Sequence, residues 1–242
     1  MMTKFPFEFD PHTHSIASGH ASLSTVTDMA KKAAAMNLKM IGITDHGPAT
    51  PCAGKPSYFR SLAMAPRKRL GVETMSGVEL NILDQHGTVD LDTDILEKLD
   101  YAIASLHPQT FRPGTKEFNT AAYISAMKNP CVKIIGHCDD TKYPADYEAL
   151  VKAAKEYRVL LEINNSSLSP DGYRGNTRPN AASILEWCSR LGHPVVLSSD
   201  SHGTGHIGDF CYALALIEET GFSRSLILND SLDAFKAFIA LR

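Results

Sequence analysis

The chain has 242 residues, 43 % hydrophobic and 21 % charged, the balance of a water-soluble globular protein with a sizeable core. A formal net charge of −3 and an isoelectric point near 6.4 give no global field that would favour nucleic acid or an anionic membrane. Five scattered cysteines (Cys52, Cys131, Cys138, Cys188, Cys211), odd in number and never spaced C-x-x-C, argue against a disulfide framework and a thiolate zinc site.

The N-terminal stretch "MMTKFPFEFDPH" lacks the continuous apolar run of a signal peptide. No run approaches the ~18 apolar residues that would span a bilayer. The expectation is a cytoplasmic protein with no membrane and no nucleic-acid partner. Whether identical subunits assemble stays open.

In chain order, the first predicted strand is "FEFDPH" (7–12), followed by a polar loop and a helix "STVTDMAKKAAAMN" (24–37) with Ser24 as N-cap. Strands "KMIGIT" (39–44) and "ETMSGVE" (73–79) come next. Between them lies one basic knot, "PRKRL" (66–70), read as a solvated helix face. Strands "YAIASLH" (101–107) and "VKIIGH" (132–137) lead to a helix, "PADYEALVKAAKEY" (144–157). Strand "RVLLEIN" (158–164), helix "RPNAASILEWCSRLG" (178–192) and strand "PVVLSSD" (194–200) complete the series. Gly192 can supply a left-handed C-cap.

Strand ends recur roughly every 30 residues, the length of a βαβ unit. No change of composition marks a boundary, so residues 1–242 read as one domain. Seven such units suggest a closed or nearly closed parallel barrel with helices outside. An open doubly wound sheet is the runner-up, weakened because "SIASGHAS" after the first strand is no Gly-rich nucleotide loop.

Ten histidines occur in the chain, and six lie at predicted strand ends: His12 and His14, His46 in "ITDHG", His107 in "SLHPQ", His137 in "IGHCD" and His202 in "SSDSH". Carboxylates accompany them: Asp45, Glu79 in "GVELN", Glu162 in "EINNSS" and Asp200. In a parallel barrel every strand opens its C-terminal end onto one face, where loops carry the chemistry. Residues i and i+2 on a strand share a side, so His12 with His14, and Asp200 with His202, can face inward together. His20 can join from the first loop. Each residue alone would most often be an ordinary loop or turn residue; recurrence at one topological position points to metal binding. Imidazole and carboxylate without thiolate suit Zn²⁺, Mn²⁺ or Fe²⁺. His86 and His193 do not fit the pattern, and His206 reads as a loop residue.

The segments "DPHTHS", "ITDHG", "GVELN", "SLHP", "GH", "EINNSS" and "LSSDSH", in this order and spacing, resemble the PHP (polymerase and histidinol phosphatase) superfamily. The likeness is closest to its small stand-alone YcdX-type phosphatases and covers essentially the whole chain. It implies a distorted (β/α)7 barrel with three divalent metal ions, zinc first, manganese or iron as the other candidates. Carried over by position, His12, His14, Glu79 and Asp200 would hold one ion. Glu79 would bridge to a second, with His107 and His137, while His20, His46 and His202 would hold the third. One departure is Cys138, where relatives often carry Pro; a packed small residue and a competing thiol are the two readings.

Hydrolysis of a small phosphate monoester is the leading expectation. Asp45 is placed in the catalytic set as a carboxylate that orients an imidazole through its distal N–H. Arg178 and Lys142 lie in loops on the metal face and are left out of that set. Phosphodiester or nuclease activity is the second reading, weakened by the acidic balance and the lack of a basic groove with interleaved aromatics. Metal-dependent amide hydrolysis is lowered because no strand ends in a candidate bridging Lys. A non-catalytic metal-binding module is the alternative of another class.

Overall fold

The computed structural model describes residues 7–240; residues 1–6, half of the segment read as lacking a leader, lie outside the described residues. Its strands are β1 (Phe9–His14), β2 (Met40–Ile43), β3 (Lys68–Arg69), β4 (Val72–Asn81), β5 (Tyr101–Ser105), β6 (Val132–Ile135), β7 (Leu160–Asn164), β8 (Val195–Ser198) and β9 (Ser201–His202). Its helices are α1 (Val26–Ala35), α2 (Pro56–Ala63), α3 (Thr93–Leu96), α4 (Lys116–Ala126), α5 (Tyr147–Glu156), α6 (Arg178–Leu191), α7 (Cys211–Thr220) and α8 (Leu232–Ala240). The sheet order is β8-β7-β6-β5-β4-β2-β1-β9, parallel along this path. It curls into a distorted TIM-like barrel. No helix among the described residues is long and apolar enough to cross a membrane.

The seam explains the distortion. β8 stops at Ser198, Asp200 turns through a left-handed backbone (φ 53°), and the chain resumes as β9 against β1. Side chains stitch the gap below. The Asn229 amide accepts from Leu197 N (2.8 Å) and donates to the carbonyls of Leu197 (2.8 Å) and Phe9 (3.2 Å). Asp10 accepts from Ser199 N at 3.1 Å. Backbone groups that two ladder strands would satisfy are thus paired by side chains.

Inside the barrel, Phe9, Met40, Met75, Tyr101, Ile103, Ile134, Leu160 and Val196 form an apolar layer, closed from below by Leu232, Phe235 and Ile239 of α8. The Phe235 ring lies 4.6 Å from Phe9 and edge-on to Tyr101. Gly42 leaves room for the Tyr101 hydroxyl, which donates to Pro11 O; a Cβ there would come within 1.9 Å of that hydroxyl. The outer core packs α3–α7 against the sheet. This plug fills one end, so the other end, where the strands finish, is left for polar groups.

Two local readings change. Thr25, not Ser24, caps α1: its hydroxyl accepts from Asp28 N while Asp28 accepts from Thr25 N, a reciprocal capping box. The basic knot is a hairpin rather than a helix face. Lys68 and Arg69 pair with β4 across a two-residue turn at Leu70 and Gly71, both at positive φ (51° and 85°), the geometry that matches strand twist. Gly192 caps α6 in the left-handed conformation as expected.

Candidate metal centre

β1 alternates, and His12 and His14 project to the same side, their Nε2 atoms 3.0 Å apart. The segment after β2 runs along β4: Glu79 N donates to Asp45 O and Gly47 N to Glu79 O, so His46 sits beside Glu79. His107 and His137 follow β5 and β6, and Asp200 and His202 flank the break between β8 and β9. His137 also has a left-handed backbone (φ 28°). For a non-glycine residue this costs of order 1–3 kcal/mol and is seen where the surroundings over-determine a functional position.

Glu79, fully buried, is the hub. Its Oε1 lies 2.8 Å from His137 Nε2 and 3.2 Å from His107 Nε2, and accepts from Ser105 Oγ at 2.7 Å. Its Oε2 faces His46 Nδ1 (2.6 Å), His12 Nε2 (3.5 Å) and His14 Nε2 (3.6 Å). Asp200 Oδ1 is 3.1 Å from His14 Nε2 and 3.8 Å from His12 Nε2. Three donor sets each gather within 4.8 Å: His14, His46 and His202; His12, His14 and Asp200; His46, Glu79 and His107. His20 is exposed at the rim, its ring stacked 4.9 Å from His46 and tilted against His202 at 5.0 Å.

The rings are oriented from behind. His12 Nδ1 donates to Glu162 Oε1 at 2.6 Å, and Glu162 also accepts from His137 N, Asn164 Nδ2 and Ser198 Oγ. His107 Nδ1 faces Asn81 Oδ1 at 2.8 Å, while the Asn81 amide nitrogen donates to Asp90 and Thr50. His202 Nδ1 lies 3.3 Å from the Asp200 carbonyl. Each contact holds the proton on Nδ1 and turns the Nε2 lone pair inward.

Electrostatics agree. Burial opposes ionisation of Glu79 and Asp200, yet facing imidazoles, with Arg174 at Asp200, hold both well below the usual carboxylate range. Burial lowers His14 and His202, and takes His107 down to about 4. Burial also opposes protonation of His12, but Glu162, Glu79 and Asp200 outweigh it and raise its pKa; a cation would answer the same field. Among the described residues, Glu79 Oε2, His46 Nδ1, His107 Nε2 and His202 Nε2 are buried and make no well-directed hydrogen bond, the close approaches to Glu79 included. Buried polar atoms are normally paired. Lone-pair donors without a well-directed hydrogen bond, gathered around two ionised carboxylates, fit divalent cations.

Asp45 touches no imidazole directly, contrary to the expectation that it orients one through its N–H. It accepts from Ser15 N (2.6 Å), Ser15 Oγ (2.8 Å), Ser18 Oγ (2.7 Å) and Tyr58 OH. Arg178 pairs with Glu219, and Lys142 donates to Tyr173 O and lies over the Tyr173 ring. Cys138 is buried in the outer core. His193 donates to Val159 O just before β7, while His86 and His206 are exposed.

Arg174, given no role by sequence reasoning, is buried and donates to Asp200 Oδ2 (3.0 Å) and Ser167 Oγ (3.2 Å). Nothing in the polar run "SSLSPDGYRGN" singles it out from other loop arginines. Glu162 was legible as a strand-end carboxylate, but not as the partner of His12.

Fold and donor set together define a parallel-barrel protein with a polyhistidine cluster that could hold metal ions at the C-terminal ends of its strands. Residues 10–168 match the model of the PHP domain. The chain is 42 % identical over 231 residues to a probable phosphatase of Thermoanaerobacter sp. (strain X514), covering 95 % of this chain and 93 % of that one. It is 42 % identical over 237 residues to a probable phosphatase of Caldanaerobacter subterraneus subsp. tengcongensis, covering 98 % and 92 %. The chain belongs to the PHP family. Among solved structures, it shares its fold with histidinol phosphate phosphatase from Lactococcus lactis, solved with zinc, L-histidinol and phosphate. That likeness has a TM-score of 0.60 at 20 % identity, over 89 % of this chain and 94 % of that one.

Proposed function

We propose that the chain is a phosphatase that hydrolyses small phosphate monoesters with three divalent cations, zinc first and manganese or iron as the other candidates. The observation that carries this reading is the buried cluster around Glu79, whose two carboxylate oxygens face different imidazoles: His107 and His137 on one side, His46, His12 and His14 on the other. That division suits a bridging carboxylate. Family membership and relatives named probable phosphatases at 42 % identity support the reaction class.

His12, His14, Glu79 and Asp200 would hold one cation, Glu79, His107 and His137 a second, and His20, His46 and His202 the third. Bound there, such cations neutralise phosphate charge and bring the pKa of a coordinated water down to about 7. The protein's own part is preorganisation. Glu162 and Asn81 fix the His12 and His107 rings, and Arg174 with Asn164 holds the Asp200 carboxylate. Burial of these groups strengthens every electrostatic contact among them. The acidic overall balance favours a small ester over a nucleic-acid chain.

The test is hydrolysis of an aryl phosphate and an aryl phosphodiester by protein before and after chelation. Monoester turnover lost on chelation and restored by zinc or manganese is expected. Turnover that survives complete metal removal contradicts the proposal, and turnover of the diester alone replaces it with phosphodiesterase activity.

A further inference from the structure

Ser18 lies in the short 3-10 turn after β1 and is fully buried. Its single hydroxyl stands among three groups: Asp45 Oδ1 at 2.7 Å, His14 Nδ1 at 2.8 Å and His46 N at 3.2 Å. We infer that Ser18 is a positioning residue that fixes His14 as the Nδ1–H tautomer by spending its own proton on Asp45. The inference rests on the reading of His14 as a cation ligand.

Proton accounting carries it. Asp45 accepts from Ser15 N, Ser15 Oγ and Tyr58 OH as well as from Ser18. All four contacts reach the carboxylate from N–H or O–H groups, so its oxygens serve as acceptors. Burial and the neighbouring Asp45 raise the Tyr58 pKa, so the phenol keeps its proton and donates it. Two oxygens 2.7 Å apart need a hydrogen between them, and a carboxylate that accepts from four donors has none to give. The proton between them is therefore the Ser18 hydroxyl's. A hydroxyl has one proton and two lone pairs, so Ser18 can only accept from its remaining neighbours. The backbone N–H of His46 donates to one lone pair. His14 Nδ1 must donate to the other, which leaves Nε2 unprotonated, facing Asp200 Oδ1 and Glu79 Oε2.

Three other rings of the cluster, His12, His107 and His202, take this orientation from a carboxylate, a carboxamide oxygen or a backbone carbonyl, oxygens that can only accept. A serine alone could do either. It is Asp45, set by Ser15 and Tyr58, that removes the ambiguity. This also assigns Asp45 a part: it acts on His14 through Ser18.

The experiment uses the full chain labelled with 15N-histidine and freed of metal, in mildly alkaline buffer, with imidazole nitrogen shifts read for the wild type, Ser18→Ala and Ser18→Thr. His14 is expected as Nδ1–H in the wild type and in Ser18→Thr, which keeps a hydroxyl, and as a tautomer mixture in Ser18→Ala. Zinc affinity, read by competition with a chelator, is expected to fall about 10–100-fold in Ser18→Ala and to recover in Ser18→Thr. Nε2–H as the main tautomer of His14 in the wild type overturns the inference, whether or not Ser18→Ala folds. Unchanged tautomer and zinc affinity in a folded Ser18→Ala overturn it as well. These readouts need no turnover, so an inactive protein with the expected tautomer and affinities would fail the phosphatase proposal and leave this one standing.

Discussion

Glu162 Oε1 lies 2.6 Å from Nδ1 of His12, two residues 150 apart in sequence and both fully enclosed at the mouth of the barrel. The contact fixes a ring that faces Glu79 and Asp200, and it couples β7 to β1. Glu162→Gln retains the shape but can turn an amide N–H toward His12. Zinc affinity is expected to fall about 10–100-fold, measured by chelator competition on protein whose circular dichroism is unchanged. Wild-type affinity would mean that the carboxylate is dispensable.

Arg174 and Asp200 form a buried pair, with Ser167 on the second guanidinium nitrogen. Removing Arg174 takes the guanidinium from buried Asp200 and leaves it Asn164 and the facing imidazoles; breaking such a pair costs up to about 3–5 kcal/mol. Arg174→Met should lower the urea midpoint of the metal-free protein accordingly. Arg174→Lys should rescue little, since an ammonium does not reproduce the planar fork that reaches both partners. A midpoint near that of the wild type would contradict this role.

His193 donates from Nε2 to Val159 O, away from the histidine cluster. Burial lowers its pKa to about 4, so it is neutral in the folded protein. In the unfolded chain it titrates near 6.5. Between these values the unfolded state binds the extra proton, so its contribution is complete above about pH 6.5 and is lost as pH falls toward about 4. The full difference is about 3 kcal/mol. His193→Gln can keep a donor to Val159 O and should flatten this limb of the stability–pH curve. An unchanged limb would assign the acid sensitivity elsewhere.

Phe235 plugs the end of the barrel remote from the histidines, against Phe9 and Tyr101. Phe235→Ala should destabilise by about 3–5 kcal/mol while leaving metal content unchanged in the folded fraction. Loss of metal at full folding would show that the plug and the site are coupled.

Much of this architecture was legible because apolar runs ended repeatedly in His, Asp or Glu, and strand periodicity turns such recurrence into convergence. His12 with His14 is the plainest case, since alternation alone puts them on one side. The orienting groups were not legible for a different reason. Ser18, Asn81 and Arg174 are ordinary polar residues whose roles depend on partners 4 to 31 residues away and on burial that no local pattern reports. The hairpin at Leu70–Gly71 was hidden by the charges of "PRKRL", and helix α8 shows its apolar side at Leu232, Phe235 and Ile239 without stating what it covers. Asp45 was expected to meet an imidazole directly; in the structure the Ser18 hydroxyl stands between it and His14, and that hydroxyl carries no sequence signature.

The most direct measurement is metal content per chain together with aryl phosphate hydrolysis, on the wild type and on Glu79→Ala. Three ions per wild-type chain, with fewer ions and no hydrolysis once the Glu79 carboxylate is gone, is the expected result. One ion or none in the wild type, with turnover unchanged in Glu79→Ala, would contradict a cation cluster built around Glu79.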